Sequence, residues 1–365
     1  MRMRRAYSLI CFWQDGALAV YNYLFQTVTA LDPVAVEVLD AFGEWTDPVD
    51  IGKRLVGYTP ESVQAAVDVL GEHTLLLAQG SAEARVDEQL AEHWQMWAPE
   101  AALLHFGTKN VPFEETTPQL REELMADGRP ALFKEYPHAE RILLPRHPIR
   151  LDTPLEDVLH RRRTHRAFTG QPVPLAVLST LVHTVFAPVG YLDAGAFGAL
   201  ARRTSPAGGA RQELEAYVAA FDVEGVDRGL YHYNSREHSL ELLRSDLTAA
   251  QVAQIGVEQA ALKQCAFAVF LTAVIERASV KYRHPRAYRV ILMNAGHLGQ
   301  TFALTATALG LGPFQTAAFH DSTVEDLLGI DGITEIPVYL LAAGIPASDS
   351  LSPAATLNAF RRTTL

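Results

Sequence analysis

The chain is poor in cysteine: among its 365 residues only Cys11 and Cys265 occur, and they form no Cys-x-x-Cys pair. Structural zinc sites and redox dithiols need closely spaced thiolates, so neither is predicted. No His-Glu-x-x-His run supplies other ligands, and the sequence predicts no metal site. One disulfide is compatible with two cysteines, but free thiols in a cytoplasmic protein are the simpler interpretation.

Long apolar runs are absent as well. The longest, Cys265 to Ile275, falls short of the roughly 18 to 20 residues that a membrane span requires, and it predicts a buried strand instead. The basic start Met1–Arg5 is followed by an apolar segment that Gln14 interrupts, which makes it too short for a signal peptide. The sequence therefore predicts a protein with no membrane partner.

Basic residues are fewer than acidic ones, which gives the chain a formal net charge of −11. Binding to a phosphate backbone needs a basic face, so nucleic acid is excluded as a partner. Arginines are instead concentrated at Arg161–Arg163 and Arg166, a pattern that fits a small phosphate ligand better than a polymer. The sequence patterns of a Rossmann site, a P-loop and a Gly-x-Ser-x-Gly hydrolase nucleophile are all missing.

The first of three predicted regions, residues 1–85, is a small winged-helix-like domain. Asp32-Pro33, Asp47-Pro48 and Thr59-Pro60 each open a short helix, with the polar residue as N-cap and proline at the first helical position. A strand at Leu75–Leu77 follows. Such a domain serves either as a structural cap or as a peptide-docking module that pairs an extended peptide with an exposed strand. DNA binding is disfavoured because the third helix has no basic residue.

Residues 86–148 form the second region, a connecting segment with some helix and many prolines. The third region, residues 149–365, has the element pattern of an α+β domain. Its predicted elements are a capping box at 153–156, helices over 174–185 and 290–309, the latter ended by Gly310, and strands at 214–221, 229–233, 240–243, 265–275 and 338–343.

Four segments of the third region combine polar or glycine residues in ways that could carry chemistry: Arg162–Phe168, Arg203–Arg211, Lys281–Tyr282 and Gly310–Phe314. Guanidinium groups form forked hydrogen bonds with phosphate, a small-residue loop admits a planar ligand, and a lysine in apolar surroundings can act as a base. Each segment also has a structural interpretation, as a charged helix end, a turn, a snorkelling lysine or a helix cap.

Taken in order, these segments resemble the SagB-type dehydrogenases of the FMN-dependent nitroreductase superfamily, over about residues 150–345. Gly229–Tyr233 and Ala295–His297, which lie between them, belong to the same resemblance. It implies an α+β fold with a central, mostly antiparallel sheet flanked by helices. It also implies a homodimer with FMN at the interface between the two chains.

The resemblance assigns roles to individual residues. Lys281 and Tyr282 are similar to the catalytic Lys-Tyr pair of the azoline dehydrogenases. The implied FMN contacts are Arg162, Arg163, Thr164 and Arg166 at the phosphate and ribityl chain, Ser205, Pro206 and Gly208 beside the flavin, backbone N–H groups at Leu311 and Gly312, and a late basic contact from Arg361 and Arg362. The departures from the usual pattern are Thr164 for serine, Gln212-Glu213 for His-Pro and Asn294 for an acidic residue.

From this resemblance we expect an FMN-dependent dehydrogenase that oxidises thiazoline or oxazoline rings to thiazole or oxazole in a ribosomally made precursor peptide, with a cyclodehydratase as a further partner. Two alternatives stay open. One is a SagB-like oxidoreductase that acts on a carrier-bound or small-molecule substrate, and the other is a non-catalytic scaffold of a cyclodehydratase complex. A requirement for the precursor peptide separates the first from the second, and flavin absorbance separates both from the third.

Overall fold

The computed structural model describes residues 1–111, 117–126 and 129–348. Contacts divide the chain into two compact units between residues 112 and 113. This boundary lies inside the predicted connecting region 86–148, so the two ends of that region belong to different units. Among the described helices none is long and apolar enough to cross a membrane, and Cys11 and Cys265 are free thiols.

The N-terminal unit combines short strands with five helices in its described part. In chain order its elements are β1 (Met3–Arg5), β2 (Leu9–Gln14), β3 (Ala17–Asn22), β4 (Thr27–Leu31), α1 (Pro33–Ala41), α2 (Pro48–Arg54), α3 (Pro60–Glu72), β5 (Leu76–Ala78), α4 (Ala82–Trp94) and α5 (Pro99–Gly107). Strands β2, β3 and β4 form an antiparallel sheet, and β1 pairs with β5.

Helices α1, α2 and α3 begin where the Asp-Pro and Thr-Pro pairs predict. The side chains of Asp32, Asp47 and Thr59 each accept a hydrogen bond from a first-turn N–H group, and proline opens each helix. The buried faces of the helices share one core, in which Val38 and Ile51 are fully buried. The positions of these three helices are therefore confirmed.

The sheet β2–β3–β4 is absent from the sequence-based prediction. Its first turn consists of Asp15 and Gly16, whose φ angles are +51° and +80°. An Asp-Gly pair with both φ angles positive is the preferred turn of a two-residue hairpin, because its twist matches that of the flanking strands. The signal for this hairpin was therefore present in the sequence.

A buried ion pair anchors β1 to α4. Arg4 Nη2 donates to Asp87 Oδ2 at 2.9 Å, and the two side chains are 1% and 0% exposed. The same carboxylate accepts the N–H groups of Tyr7 and Ser8 and the Ser8 hydroxyl. These bonds satisfy the carboxylate, which favours a buried ion pair, whereas Arg4 Nε has no hydrogen-bond partner among the described residues.

The C-terminal unit contains the larger sheet. Its described elements are α6 (Pro118–Ala126), β6 (Arg141–Leu143), α7 (Leu155–Arg161), α8 (Leu175–Phe186), β7 (Gly190–Asp193), β8 (Ala199–Arg202), β9 (Leu214–Ala220), β10 (Gly229–Asn234), β11 (Ser239–Ser245), α9 (Ala249–Ile255), α10 (Ala260–Gln264), β12 (Phe267–Val274), α11 (Ile275–Ser279), α12 (Ala287–Ala308), β13 (Gly312–Thr316), α13 (Asp321–Leu328) and β14 (Glu335–Gly344).

Seven of these strands form one sheet in the order β13-β14-β12-β9-β10-β11-β6, and every neighbouring pair is antiparallel. The central strands alternate between two cores. Val218 and Leu271 pack with α8 and α12, whereas Tyr217 and Phe270 pack with α9, α10 and α13. The predicted α+β domain, with a mostly antiparallel sheet flanked by helices, is confirmed.

The long helix α12 ends as predicted. Gly310 has a φ of +79°, and the Leu311 N–H donates back to the Ala306 carbonyl at 2.8 Å. Glycine suits this position because a left-handed residue after the last turn lets the chain satisfy the final carbonyl groups.

The start of α7 differs from the prediction. The helix begins at Leu155 with Pro154 as its N-cap, and no side chain caps it. The predicted capping box at Thr153 is therefore wrong. Because proline occupies the N-cap, Thr153 lies one residue too early for its hydroxyl to serve as the capping acceptor.

Candidate active site

The predicted small-residue loop after β8 lies along α12. Ser205 is buried, and its Oγ is 2.5 Å from Thr301 Oγ1. The carbonyl oxygen of Pro206 lies 3.3 Å from His297 Nδ1. These contacts fix the start of the loop against one face of the helix.

Gly208 connects the loop to a chain of polar groups. Its N–H donates to Asn294 Oδ1 at 3.1 Å, and Asn294 Nδ2 donates to Glu213 Oε1 at 2.7 Å. A Cβ at position 208 would lie 2.3 Å from Val290 Cγ1, so glycine permits this close approach to α12. Glu213 Oε2 is buried and has no hydrogen-bond partner among the residues that the structure describes.

Lys281 and Tyr282 converge on Gly209, the next residue of the loop. Gly209 has a φ of +59°, and a Cβ there would lie 2.3 Å from Tyr282 Oη and 3.3 Å from Lys281 Nζ. The N–H groups of Lys281 and Tyr282 both donate to the Ala278 carbonyl, which places the pair directly after α11. The predicted loop and the predicted Lys-Tyr pair, distant in sequence, therefore lie together.

Two cations near this point share one aromatic ring. Lys281 Nζ lies 5.6 Å from the centroid of the Phe197 ring, and Arg211 Cζ lies 5.0 Å from it. Arg211 Nε donates to the Gly209 carbonyl at 3.1 Å. Within residues 1–111, 117–126 and 129–348, neither cation forms an ion pair. Burial lowers the pKa of Arg211, as expected for a cation removed from water.

The arginine segment after α7 lies elsewhere in this unit, against the start of β13. The His165 N–H donates to the Pro313 carbonyl at 2.9 Å. A Cβ at Gly312 would lie 2.7 Å from His165 Cγ, so glycine is required for this approach. Burial lowers the pKa of His165. Two segments that the sequence singled out separately, Arg162–Phe168 and Gly310–Phe314, are thus neighbours.

The four predicted phosphate contacts in this segment are not equivalent. Arg163 Nη1 donates to the carbonyl groups of His160 and Arg162, and so satisfies the end of α7. The side chains of Arg162, Thr164 and Arg166 form no hydrogen bond or ion pair with any part of the chain that the structure describes. These three are the groups available to an external anion.

The remaining predicted FMN contacts lie in different structural settings. Leu311 is buried, and its N–H is already used by the end of α12. Gly312 opens β13 opposite Gly344. Arg361 and Arg362 lie outside the described residues.

The predicted residues therefore form two clusters along α12. We call Ser205–Gly209 with Lys281 and Tyr282 the Lys-Tyr cluster, and Arg162–Arg166 with Leu311 and Gly312 the arginine cluster. The first touches α12 at Val290, His297 and Thr301, and the second is joined to it at Ala306. At the rise of an α-helix, Val290 lies about 24 Å and Thr301 about 8 Å from Ala306 along the axis.

A buried network on the other face of the sheet supports the strands that carry the site. His232 lies between two carboxylates, with Nδ1 2.9 Å from Glu241 and Nε2 3.2 Å from Glu215. Arg277 Nη1 donates to Glu215 at 2.6 Å. Burial alone would lower the pKa of His232, but its two carboxylate hydrogen bonds raise it. Burial opposes ionisation of Glu215 too, yet His232 and Arg277 bring its pKa to about 2.

Three residues of the site were not predicted. Phe197 carries no signal in the sequence, since it lies in a single 3-10 turn between β7 and β8. Arg211 ends the segment Arg203–Arg211 but received no role. Glu213 was noted only as a departure from a usual pattern, although its contact with Asn294 joins the loop to α12.

The C-terminal unit is thus an α+β fold in which an antiparallel sheet packs on a long helix and a small-residue loop lies along that helix. Residues 159–345 match the nitroreductase family. The chain belongs to this family, whose members generally bind flavin, and is thereby one of the flavin-dependent oxidoreductases. The predicted superfamily is confirmed.

Individual proteins resemble the chain over different lengths. It is 26% identical to the trifolitoxin-processing protein TfxB of Rhizobium leguminosarum bv. trifolii over 319 residues, which are 82% of this chain and 84% of that protein. It is 30% identical to the microcin B17-processing protein McbC of Escherichia coli over 144 residues, 38% of this chain and 53% of that protein.

A solved structure supports the fold. A nitroreductase-like protein of Anabaena variabilis superposes with a TM-score of 0.51 and 26% identity, over 66% of this chain and 49% of that one. The chain thus spans about half the length of that protein.

Proposed function

We propose that the protein is an FMN-dependent azoline dehydrogenase that oxidises thiazoline or oxazoline rings to thiazole or oxazole in a ribosomally made peptide. The observation that carries this proposal is the convergence of Lys281 Nζ and Tyr282 Oη on the Gly209 backbone. TfxB and McbC, which are named as processing proteins of trifolitoxin and microcin B17, support a precursor molecule as the substrate.

The residues present fit FMN. In the Lys-Tyr cluster the loop Ser205–Gly209 consists of small residues, which allows close contact between its backbone and a planar ring. In the arginine cluster Arg162 and Arg166 supply two guanidinium groups and Thr164 a hydroxyl, which together suit a phosphate. Arg163, which is bonded to the end of its own helix, would act on the phosphate through its charge. Arg361 and Arg362 are proposed as further basic contacts to the phosphate.

Bound FMN would supply the hydride acceptor. The Lys281 amine would take the proton from the ring carbon of the azoline. The Tyr282 hydroxyl would orient the azoline by a hydrogen bond or relay that proton. Removal of one proton and one hydride converts the azoline to its aromatic form, so a base beside the cofactor is what the reaction needs.

The proposal includes a homodimer with FMN at the interface between its two chains. The Lys-Tyr cluster extends along α12 from Val290 to Thr301, and the arginine cluster is joined to the same helix at Ala306. The end of α12 that meets Gly208 therefore lies about 24 Å from Ala306 along the axis. In such a dimer, groups from both chains would contact one FMN.

The N-terminal unit is included in the proposal as a peptide-docking domain within residues 1–85. Strand β2 is at an edge of its sheet, and Phe12 and Trp13 on it are 36% and 76% exposed. An extended precursor peptide can pair with such an edge. A cyclodehydratase partner would supply the azoline, and a cytoplasmic location fits the free thiols of Cys11 and Cys265.

The test compares two lysine variants on a precursor peptide that carries one azoline. Lys281→Ala should keep the wild-type flavin spectrum and lose at least about 100-fold in turnover, measured by mass spectrometry as the loss of two hydrogens. Lys263→Ala is the matched control, because Lys263 is half-exposed and paired with Glu258 away from the site. Full turnover by FMN-loaded Lys281→Ala would refute the role of Lys281, and colourless wild-type protein would refute the function.

A further inference from the structure

A cavity of about 210 Å³ lies beside the Lys-Tyr cluster and has no role in the mechanism above. Phe197 lines it, and so does Val280, the residue before Lys281. The described residues around it include three arginines, Arg129, Arg211 and Arg277, and no aspartate or glutamate. Its size is that of a side chain rather than of a cofactor.

Two of the three guanidinium groups are already engaged. Arg277 donates to Glu215 at 2.6 Å and to the Ala131 carbonyl at 2.8 Å, so its charge is compensated. Arg129 is exposed, and its guanidinium lies against Gly198 at the mouth of the cavity. Neither one requires a further partner.

Arg211 is different. It is 7% exposed, and its Nη2 is buried without a hydrogen-bond partner among the described residues. Glu213 acts on it electrostatically but forms no ion pair with it. A buried cation without a counter-ion is unfavourable.

We infer that this cavity binds a carboxylate of the substrate and that Arg211 pairs with it, next to the ring that is oxidised. One unpaired guanidinium matches the single charge of a carboxylate better than the double charge of a phosphate. The carboxylate belongs either to an acidic side chain beside the azoline or to the C-terminus of the peptide. The identity of the substrate rests on the proposed function, whereas the binding of a carboxylate does not.

Binding is tested first without turnover, so that a failure of the proposed reaction leaves the result readable. N-acetyl-aspartate amide and N-acetyl-asparagine amide differ only in the side-chain charge. Titrated into the FMN-loaded protein and followed by saturation-transfer NMR, the aspartate probe should bind about tenfold more tightly, the value of one charge-assisted hydrogen bond. Equal binding of the two probes to the wild-type protein would overturn the inference.

Variants then locate the binding. Arg211→Gln should remove the preference for the aspartate probe while the flavin absorbance is unchanged. Arg244→Gln, an exposed arginine on β11 away from the cavity, is the matched control and should keep it. Arg129→Gln, at the exposed mouth, should weaken the preference about threefold, and it remains informative if Arg211→Gln does not fold. If Arg211→Gln keeps the full preference for the aspartate probe, the assignment of Arg211 as the partner of the carboxylate is wrong. If Arg211→Gln does not fold, an undiminished preference in Arg129→Gln would overturn the binding of a carboxylate in this cavity.

Turnover distinguishes the two sources of the carboxylate. Four peptides with one thiazoline combine aspartate or asparagine beside the ring with a free or amidated C-terminus. A side-chain source predicts that kcat/KM rises about tenfold with aspartate alone, and a C-terminal source that it rises with the free acid alone. In either case Arg211→Gln should abolish the difference. Equal kcat/KM for all four peptides would overturn the role of the cavity in substrate recognition, and no turnover at all would overturn the proposed function instead.

Discussion

Substituting Gly209 by alanine tests the geometry of the Lys-Tyr cluster directly. The new Cβ would lie 2.3 Å from Tyr282 Oη, whereas ordinary contacts begin at 3.4 Å. The hydroxyl must therefore move by about 1 Å or more. Because Oη is the end of a half-buried side chain, that movement costs little stability but displaces the hydroxyl from its position in the Lys-Tyr cluster.

A second effect of Gly209→Ala is backbone strain, which a matched variant isolates. Gly209 has a φ of +59°, and alanine in the left-handed region costs roughly 1–2 kcal/mol. Gly329, at the end of α13, has a φ of +67°, and a Cβ there would meet no atom within 4 Å. Gly329→Ala thus carries the same strain without the contact with Tyr282.

The expected result is a similar loss of stability in both variants and a loss of activity in one. Chemical unfolding should give a decrease of about 1–2 kcal/mol for each. Azoline oxidation should fall about 100-fold in Gly209→Ala, since a displacement of about 1 Å at a reacting group can have that effect, and stay near wild type in Gly329→Ala. Full activity in Gly209→Ala, or an equal loss in both variants, would refute the reasoning.

Two further predictions concern buried charges. Asp87→Asn should lower the free energy of unfolding of the N-terminal unit by about 3 kcal/mol in a urea titration, because it leaves Arg4 buried without its counter-ion. Asp68→Asn, at an exposed position, should change the free energy of unfolding by less than about 0.5 kcal/mol. His232→Asn should destabilise the C-terminal unit more at pH 6 than at pH 10. Because the pKa of His232 is raised in the folded protein, its protonation stabilises the fold below the unfolded pKa of 6.5, and this stabilisation is lost as the pH rises through the folded pKa. A difference in unfolding free energy that does not depend on pH would contradict the role of His232. The same trend in exposed His138→Asn would contradict it too.

Much of the fold could be predicted from local patterns. The pairs that open α1, α2 and α3 combine an N-cap with proline, and this local chemistry acts within one turn. The central strand β12 appears as a continuous apolar segment because both of its faces are buried, whereas the long helix α12 appears as a segment of small and apolar residues with one buried face. The one wrong helix start, at Thr153, comes from a pattern that proline at the N-cap overrides.

The site could be predicted only in part. Lys281, Tyr282 and the small-residue loop were named through the order of their motifs, but no spacing in the sequence reveals that they meet at Gly209. Phe197 and Arg211 became visible only when the fold placed two cations on one ring. Contacts between residues that are distant in sequence depend on the tertiary structure, and the local periodicity of the sequence carries no information about them.

Two of the departures from the usual pattern, those at Glu213 and Asn294, illustrate this limit because the two side chains are in contact. Glu213 stands where proline is usual and Asn294 where an acid is usual, and Asn294 Nδ2 donates to Glu213 Oε1 at 2.7 Å. Asn294 Oδ1 still accepts the Gly208 N–H, as a carboxylate there would. An acid at 294 beside Glu213 would place two negative charges in contact, which is strongly unfavourable in a buried site. The amide at 294 is thus the partner that a glutamate at 213 requires. A comparison made one position at a time counts two mismatches, whereas in the structure the two residues form a single interaction.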